Sequence, residues 1–264
     1  MARRIPIFLV LVLVACAAPG EVGRPGRRDR PLLVSAAVSL AGAMDTLAAD
    51  YLRRTGTAVE LNLSASTVLA AQIIAGAPVD VFISADLFQL DRVAAEGLIR
   101  SVTRVDLLSN QLVVIVPVDA AAVVSSSSSS ATLLEPMFGR IAIGDPDGVP
   151  VGVYARAYLE AVGLWGALRE RVVPVRSARA ALAIVETGDV DAGIVYRTDA
   201  MLSAGVRVVF EVPAAEGPAI SYPAAVTTQA KNPEAAEQLL AYLQSPDART
   251  VFEQAGFIVP NAEP

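Results

Sequence analysis

Short apolar runs alternate along this chain with stretches whose apolar residues recur at helical spacing. Residues 32–37 form a run of strand length. Ser39 then stands at an N-cap position, and Leu40, Ala43, Met44, Leu47, Tyr51 and Leu52 mark one helix face up to Gly56. Residues 59–63 predict a second strand, from which the polar turn Ser64-Ala65-Ser66-Thr67 leads into a helix over 68–75, stopped by Gly76. Residues 79–84 predict a third strand, and Ala85-Asp86 opens a helix reaching about Glu96. Parallel strands need crossovers of helix length, so this alternation predicts a parallel, doubly wound sheet.

A strand over 112–116 follows, then six consecutive serines over 125–130 that suit a surface loop. The alternation then restarts. Residues 140–143 are a strand, and 144–148 (Gly-Asp-Pro-Asp-Gly) are turn chemistry. Pro150 suits a first helical turn, where its missing N–H is not needed, and a helix runs over 151–162. Strands at 172–175 and 191–196 flank a helix over 178–187, and Thr198-Asp199 caps a short helix. Strands at 206–212 and 220–226 precede helices over 233–243, capped by Asn232, and 247–254. The pattern predicts an α/β protein of two lobes joined by two crossing strands, 112–116 leaving and 220–226 returning. Lobe I comprises 31–112 and 220–264, and lobe II comprises 113–219. Ligands of such folds bind at the carboxyl ends of strands, here in the cleft between the lobes.

Four strand-to-helix junctions punctuate this pattern, at 37–39, 65–67, 150–152 and 177–179. First-turn N–H groups have no partner within their helix, and the helix dipole there favours negative charge. One serine at such a place is an ordinary cap. Several junctions facing one cleft would make an anion site.

Composition narrows the compartment and the chemistry. The chain has 264 residues, 54% of them hydrophobic, enough to bury a core in two modest lobes. Arg3 and Arg4 precede an apolar run over 5–15, as in a secretory signal, and that run is too short to span a membrane. Leu13-Val14-Ala15-Cys16 ends it and resembles the lipobox of bacterial lipoproteins, whose cysteine is acylated and becomes the mature N-terminus. Cys16 is the only cysteine, so no intrachain disulfide forms. Residues 17–30, rich in Gly, Pro and Arg, suit a disordered tether.

From residue 31 onward 15 basic residues face 25 acidic ones, a balance of −10 that disfavours nucleic acid. The absence of histidine excludes His-based catalysis and His-ligated metal. Asp145, Asp147 and Asp199 are the acids an exported enzyme would use, although turns and caps account for them. Arg156, Arg176, Arg179 and Arg197 flank the junctions, where pairing with carboxylates such as Glu186 and Asp199 or solvation explains them. Trp165 suits packing in the second lobe.

Several pieces occur in a specific order: 36–40 (Ala-Ala-Val-Ser-Leu), 72–86 (Gln-Ile-Ile-Ala-Gly-Ala-Pro-Val-Asp-Val-Phe-Ile-Ser-Ala-Asp), 144–146 (Gly-Asp-Pro), 149–155 (Val-Pro-Val-Gly-Val-Tyr-Ala) and 193–196 (Gly-Ile-Val-Tyr). In this combination the chain resembles, from about 32 to 259, the molybdate-binding proteins of bacterial ABC transporters. The resemblance implies a two-lobed periplasmic-binding-protein fold of type II, each lobe a doubly wound, mostly parallel sheet. It implies a monomer that holds molybdate or tungstate through its oxygens, needs no cofactor, and passes the ion to a membrane permease. Two serines, two backbone amides and a tyrosine hydroxyl hold the oxyanion in that family. They fall here on Ser39, Ser66, Val151, Ala178 and Tyr196. Relatives commonly carry alanine where Val151 stands and valine where Ala178 stands. Both positions donate through the backbone, so the hydrogen bonds survive the change. A tetrahedral dianion such as sulfate would suit the same donors, and a surface adhesive or sensory role is the remaining alternative.

Overall fold

The computed structural model describes residues 30–120, 138–213 and 215–260. The signal with Cys16, the tether up to 29 and the serine run at 125–130 lie outside the described residues.

The first alternation gives β1 (Leu32–Ala37), α1 (Ala41–Thr55), β2 (Val59–Ser64), α2 (Ser66–Ile74), β3 (Val81–Ile83), α3 (Leu87–Ala95) and β4 (Val105–Leu108). The second gives β5 (Leu112–Pro117), β6 (Ile141–Gly144), α4 (Pro150–Ala161), α5 (Trp165–Leu168), β7 (Val172–Val175), α6 (Ala178–Glu186), β8 (Ala192–Tyr196), α7 (Arg197–Ala200) and β9 (Val206–Glu211). β10 (Tyr222–Val226), α8 (Pro233–Leu243) and α9 (Pro246–Gln254) complete the described chain.

Two five-stranded sheets result, ordered β2-β1-β3-β10-β4 and β7-β6-β8-β5-β9. β1 runs parallel to β2 and β3, and β6 runs parallel to β7 and β8. The strands that follow a crossing, β10 and β5, pair antiparallel with both neighbours, so each sheet is mixed. The chain crosses between the sheets after β4 and after β9. The Ser109 hydroxyl ties the crossings together by donating to the Ile220 carbonyl at 2.7 Å. α8 packs on β10 and α9 on α1, which returns the C-terminal helices to the first sheet. One buried apolar cluster extends from Met44 and Leu47 through Tyr222 and Tyr196 to Tyr158 and Leu159, joining the two halves.

The structure departs from the sequence pattern where tertiary pairing decides. β4 is a four-residue edge strand containing Asp106 and has no readable periodicity; it forms against β10, over a hundred residues away. Ser39 is not a cap. Val38–Leu40 is a single 3₁₀ turn, and the residue before α1 is Leu40, which offers no side-chain hydrogen bond. Thr198 and Asp199 lie within α7 rather than before it, and Leu52 is 45% exposed. Helix-start side chains that do accept a backbone N–H are Asp86 (from Gln89, 2.7 Å), Ser177 (from Ala180, 3.1 Å), Asn232 (from Ala235, 3.2 Å) and Ser245 (from Ala248, 3.3 Å).

Candidate functional site

All four junctions meet at one cavity between the sheets. The ends of β1, β2, β6 and β7 contribute Ser39, Ser66, Val151 and Ala178; the end of β8 contributes Tyr196. A fifth junction, at Ala85 after β3, also lines it. That junction was visible in the sequence as Ala85-Asp86 following a strand. No charged side chain is among the lining residues.

The three hydroxyl-bearing residues expected at the site, Ser39, Ser66 and Tyr196, all line this space, with Ser64 and Ser177 beside them. Ser66 Oγ accepts the Ala85 N–H at 2.9 Å, which leaves the serine proton free to donate. Ser39 Oγ lies 3.1 Å from Tyr222 Oη. Tyr196 Oη is buried and has no hydrogen-bond partner among the described residues. Burial holds the Tyr196 phenol well above its usual range, so it stays a neutral donor. Two amides add to this set. Bonding at the start of α4 begins with the Gly152 N–H, donated to the Val149 carbonyl, and at the start of α6 with the Ala180 N–H, donated to Ser177 Oγ. The first-turn N–H groups of Val151 and Ala178 are thereby left for a ligand.

Close packing fixes the Val151 amide. A Cβ on Gly152 would overlap the Gly144 carbonyl oxygen and lie 2.7 Å from that of Asp145. A Cβ on Gly144 would lie 2.7 Å from Val151 Cγ1. Glycine at both positions lets the first turn of α4 seat directly on the end of β6. Across the cavity the Thr67 hydroxyl donates to the Gly148 carbonyl, joining α2 to the turn before α4.

Of the flanking arginines, Arg156 and Arg179 are engaged elsewhere. Arg156 pairs with Asp147 and Glu160, each at 2.8 Å, with its guanidinium 5.4 Å from the Trp165 ring centre. Asp145 accepts the Asp147 N–H at 3.0 Å. Arg179 Nε lies 2.9 Å from Asp199 Oδ1, a charge contact without hydrogen-bond alignment. Burial pushes the Asp199 carboxyl up to about 7, against the opposing pull of Arg179. Burial likewise pushes Asp86, beside Ala85, up to about 6. A neutral cavity lined by hydroxyls and first-turn amides, with no charged side chain in its lining, is suited to hold an anion by hydrogen bonds.

Residues 32–258 match the family model described as bacterial extracellular solute-binding protein. The molybdate-binding protein ModA of Escherichia coli is 37% identical over 262 residues, covering 98% of this chain and 100% of that protein. The Bacillus subtilis protein YvgL, provisionally named an ABC transporter substrate-binding lipoprotein, is 31% identical over 97% of this chain and 99% of its own length. Among solved structures, the periplasmic molybdate-binding protein of Azotobacter vinelandii superposes with a TM-score of 0.76 at 26% identity, covering 87% of this chain and 100% of that one. The two mixed sheets, the two crossings and the cavity between them are the type II periplasmic-binding-protein architecture. With a family match over most of its length and a site that binds without reacting, the chain belongs to the bacterial extracellular solute-binding proteins.

Proposed function

We propose that this protein captures molybdate, and equally tungstate, between its sheets and delivers the ion to an ABC permease. The Ser39, Ser66 and Tyr196 hydroxyls and the Val151 and Ala178 amides hold the ion. The lobes 31–112 with 220–264 and 113–219 close over it, and the protein acts as a monomer. The observation that carries this reading is the buried Tyr196 hydroxyl, without a partner among the described residues, in a cavity of donors. Hydrogen bonds to charged groups contribute about 1.5–3 kcal/mol each, so five reach submicromolar affinity after the costs of binding. The −10 balance repels anions at long range, but screening over about 8 Å leaves the local donors in control.

Selectivity is the test. Molybdate, tungstate and sulfate are unprotonated dianions at neutral pH, whereas phosphate carries a proton that is unpaired wherever the five assigned groups act as donors. An unpaired donor costs about 1–3 kcal/mol, so phosphate binds least. Sulfate is smaller than molybdate and falls short of donors spaced for the larger ion. Competition calorimetry at fixed ionic strength is expected to rank molybdate and tungstate together, sulfate far below them and phosphate last. Sulfate within about tenfold of molybdate, a gap of ~1.4 kcal/mol, would make this a general tetrahedral-dianion site.

Proton linkage gives a second test. Asp86 and Asp199 titrate at about 6 and about 7 and both act on the Tyr196 phenol through space. A dianion beside them disfavours their ionised forms, raising both values further. Binding therefore takes up protons, and affinity rises as pH falls from 8 to 6. Calorimetry in two buffers of different ionisation enthalpy reads the uptake; proton release would reverse the assigned electrostatics.

The resemblance of 13–16 to a lipobox supports a mature protein held outside the cytoplasm through an acylated Cys16. Each buried CH₂ contributes about 0.8 kcal/mol, so two or more chains hold stably. Cys16→Ser is expected to leave unprocessed or released protein. A variant that still fractionates as mature membrane lipoprotein would exclude this anchor.

A further inference from the structure

The crossing between the sheets holds a buried chain of polar groups that ends at the cavity. Asn110 lies between β4 and β5, and Tyr222 opens β10; both are buried, as is Ser39. The Gln111 N–H donates to Asn110 Oδ1 at 2.8 Å, which orients the amide. Asn110 Nδ2 then donates to Thr198 Oγ1 at 3.0 Å and to Tyr222 Oη at 3.1 Å. Tyr222 Oη lies 3.1 Å from Ser39 Oγ.

The chemistry of these groups fixes the direction of the chain. An amide N–H only donates, so Tyr222 Oη accepts from Asn110 and has one proton of its own to place. Burial holds the Tyr222 phenol above its usual range, so that proton stays. Ser39 Oγ is the acceptor within reach. The reverse arrangement, with Ser39 donating to Tyr222, would leave a fully buried phenolic proton unpaired. Ser39 therefore accepts from Tyr222, which leaves its own proton free to turn to the cavity. Ser66 reaches the same polarity through a backbone N–H, which side-chain substitution cannot remove; at Ser39 the polarity is set by side chains.

We propose that Asn110 and Tyr222 are positioning residues that occupy one of the two Ser39 lone pairs, bias Ser39 towards donating and so disfavour ligands with a proton on the facing oxygen. The inference rests on the oxyanion reading of the cavity and adds to it the source of discrimination against protonated anions. Without the relay both Ser39 lone pairs are free, and the hydroxyl accepts a P–O–H as readily as it donates.

A double-mutant cycle on the full chain tests this, with molybdate and phosphate affinities measured by calorimetry near neutral pH. Tyr222→Phe keeps the ring that packs 5.9 Å from Tyr196 and 5.4 Å from Phe257. It is expected to weaken molybdate about fivefold, the size of one hydrogen bond, and to narrow the molybdate-to-phosphate ratio about tenfold. In a Ser39→Ala background the same substitution is expected to change molybdate affinity less than twofold, because no hydroxyl remains to orient. Asn110→Ala repeats the cycle with the Tyr222 ring and hydroxyl intact, and thermal melts of each variant report folding. Equal losses in both Ser39 backgrounds, or an unchanged molybdate-to-phosphate ratio, would overturn the relay while leaving the molybdate reading standing. Failure of the unaltered protein to bind molybdate would overturn the ligand reading and the relay with it.

Discussion

Gly152→Ala is expected to abolish tight molybdate binding and to destabilise the fold, although it adds one methyl group. The new Cβ would overlap the Gly144 carbonyl oxygen and lie 2.7 Å from the Asp145 carbonyl oxygen, and both are backbone atoms. No rotamer relieves that, so the first turn of α4 must lift from β6. Overpacking of this kind costs about 1–3 kcal/mol. The displacement carries the Val151 N–H out of register with donors on the other sheet, so affinity should fall at least a hundredfold, on the order of the loss from a 1 Å misplacement elsewhere. Two controls isolate the cause. Gly148→Ala meets no atom within 4 Å and should bind normally. Val151→Ala removes buried methyls and lowers the melting temperature, but it keeps the amide and should retain most affinity. Calorimetry and thermal melts on the three variants decide this; near-normal binding by Gly152→Ala would mean that the α4 amide does not hold the ligand.

Tyr196→Phe is expected to separate binding from stability most cleanly. The hydroxyl is buried and has no partner among the described residues, so its removal takes no hydrogen bond from the ligand-free fold. The melting temperature without ligand should stay level or rise slightly, because an unsatisfied buried polar group is itself costly. In the proposed complex the same hydroxyl donates to the dianion, and losing that bond is expected to cost about 1.5–3 kcal/mol, roughly ten- to a hundredfold in affinity. The ligand-induced rise in melting temperature should shrink accordingly. A fall in ligand-free stability with unchanged affinity would make Tyr196 a core residue and remove it from the site.

The order of elements was legible in the sequence because the relevant physics is local. Residues 32–37 form a strand because an apolar run of that length, followed at once by a helical pattern, has no other way to bury itself. Pro150 and Asn232 mark helix starts because a missing N–H or a side-chain oxygen suits those backbone positions and few others. The five proposed donor positions came from ordered motifs resembling a known family, and the absence of histidine already excluded His-based catalysis. Tertiary structure decided the remainder. Convergence of junctions more than a hundred residues apart depends on how two sheets face each other, which no periodicity encodes. β4 exists only because β10 returns to pair with it. Ser39 reads as a helix cap in sequence, since caps are what serines at such places usually are. Its actual partner, Tyr222, lies 183 residues away, and Asn110 sets the polarity of that contact from a third segment. Local sequence fixes which groups can donate; only packing of distant segments decides which lone pairs are already taken, and therefore where each proton points.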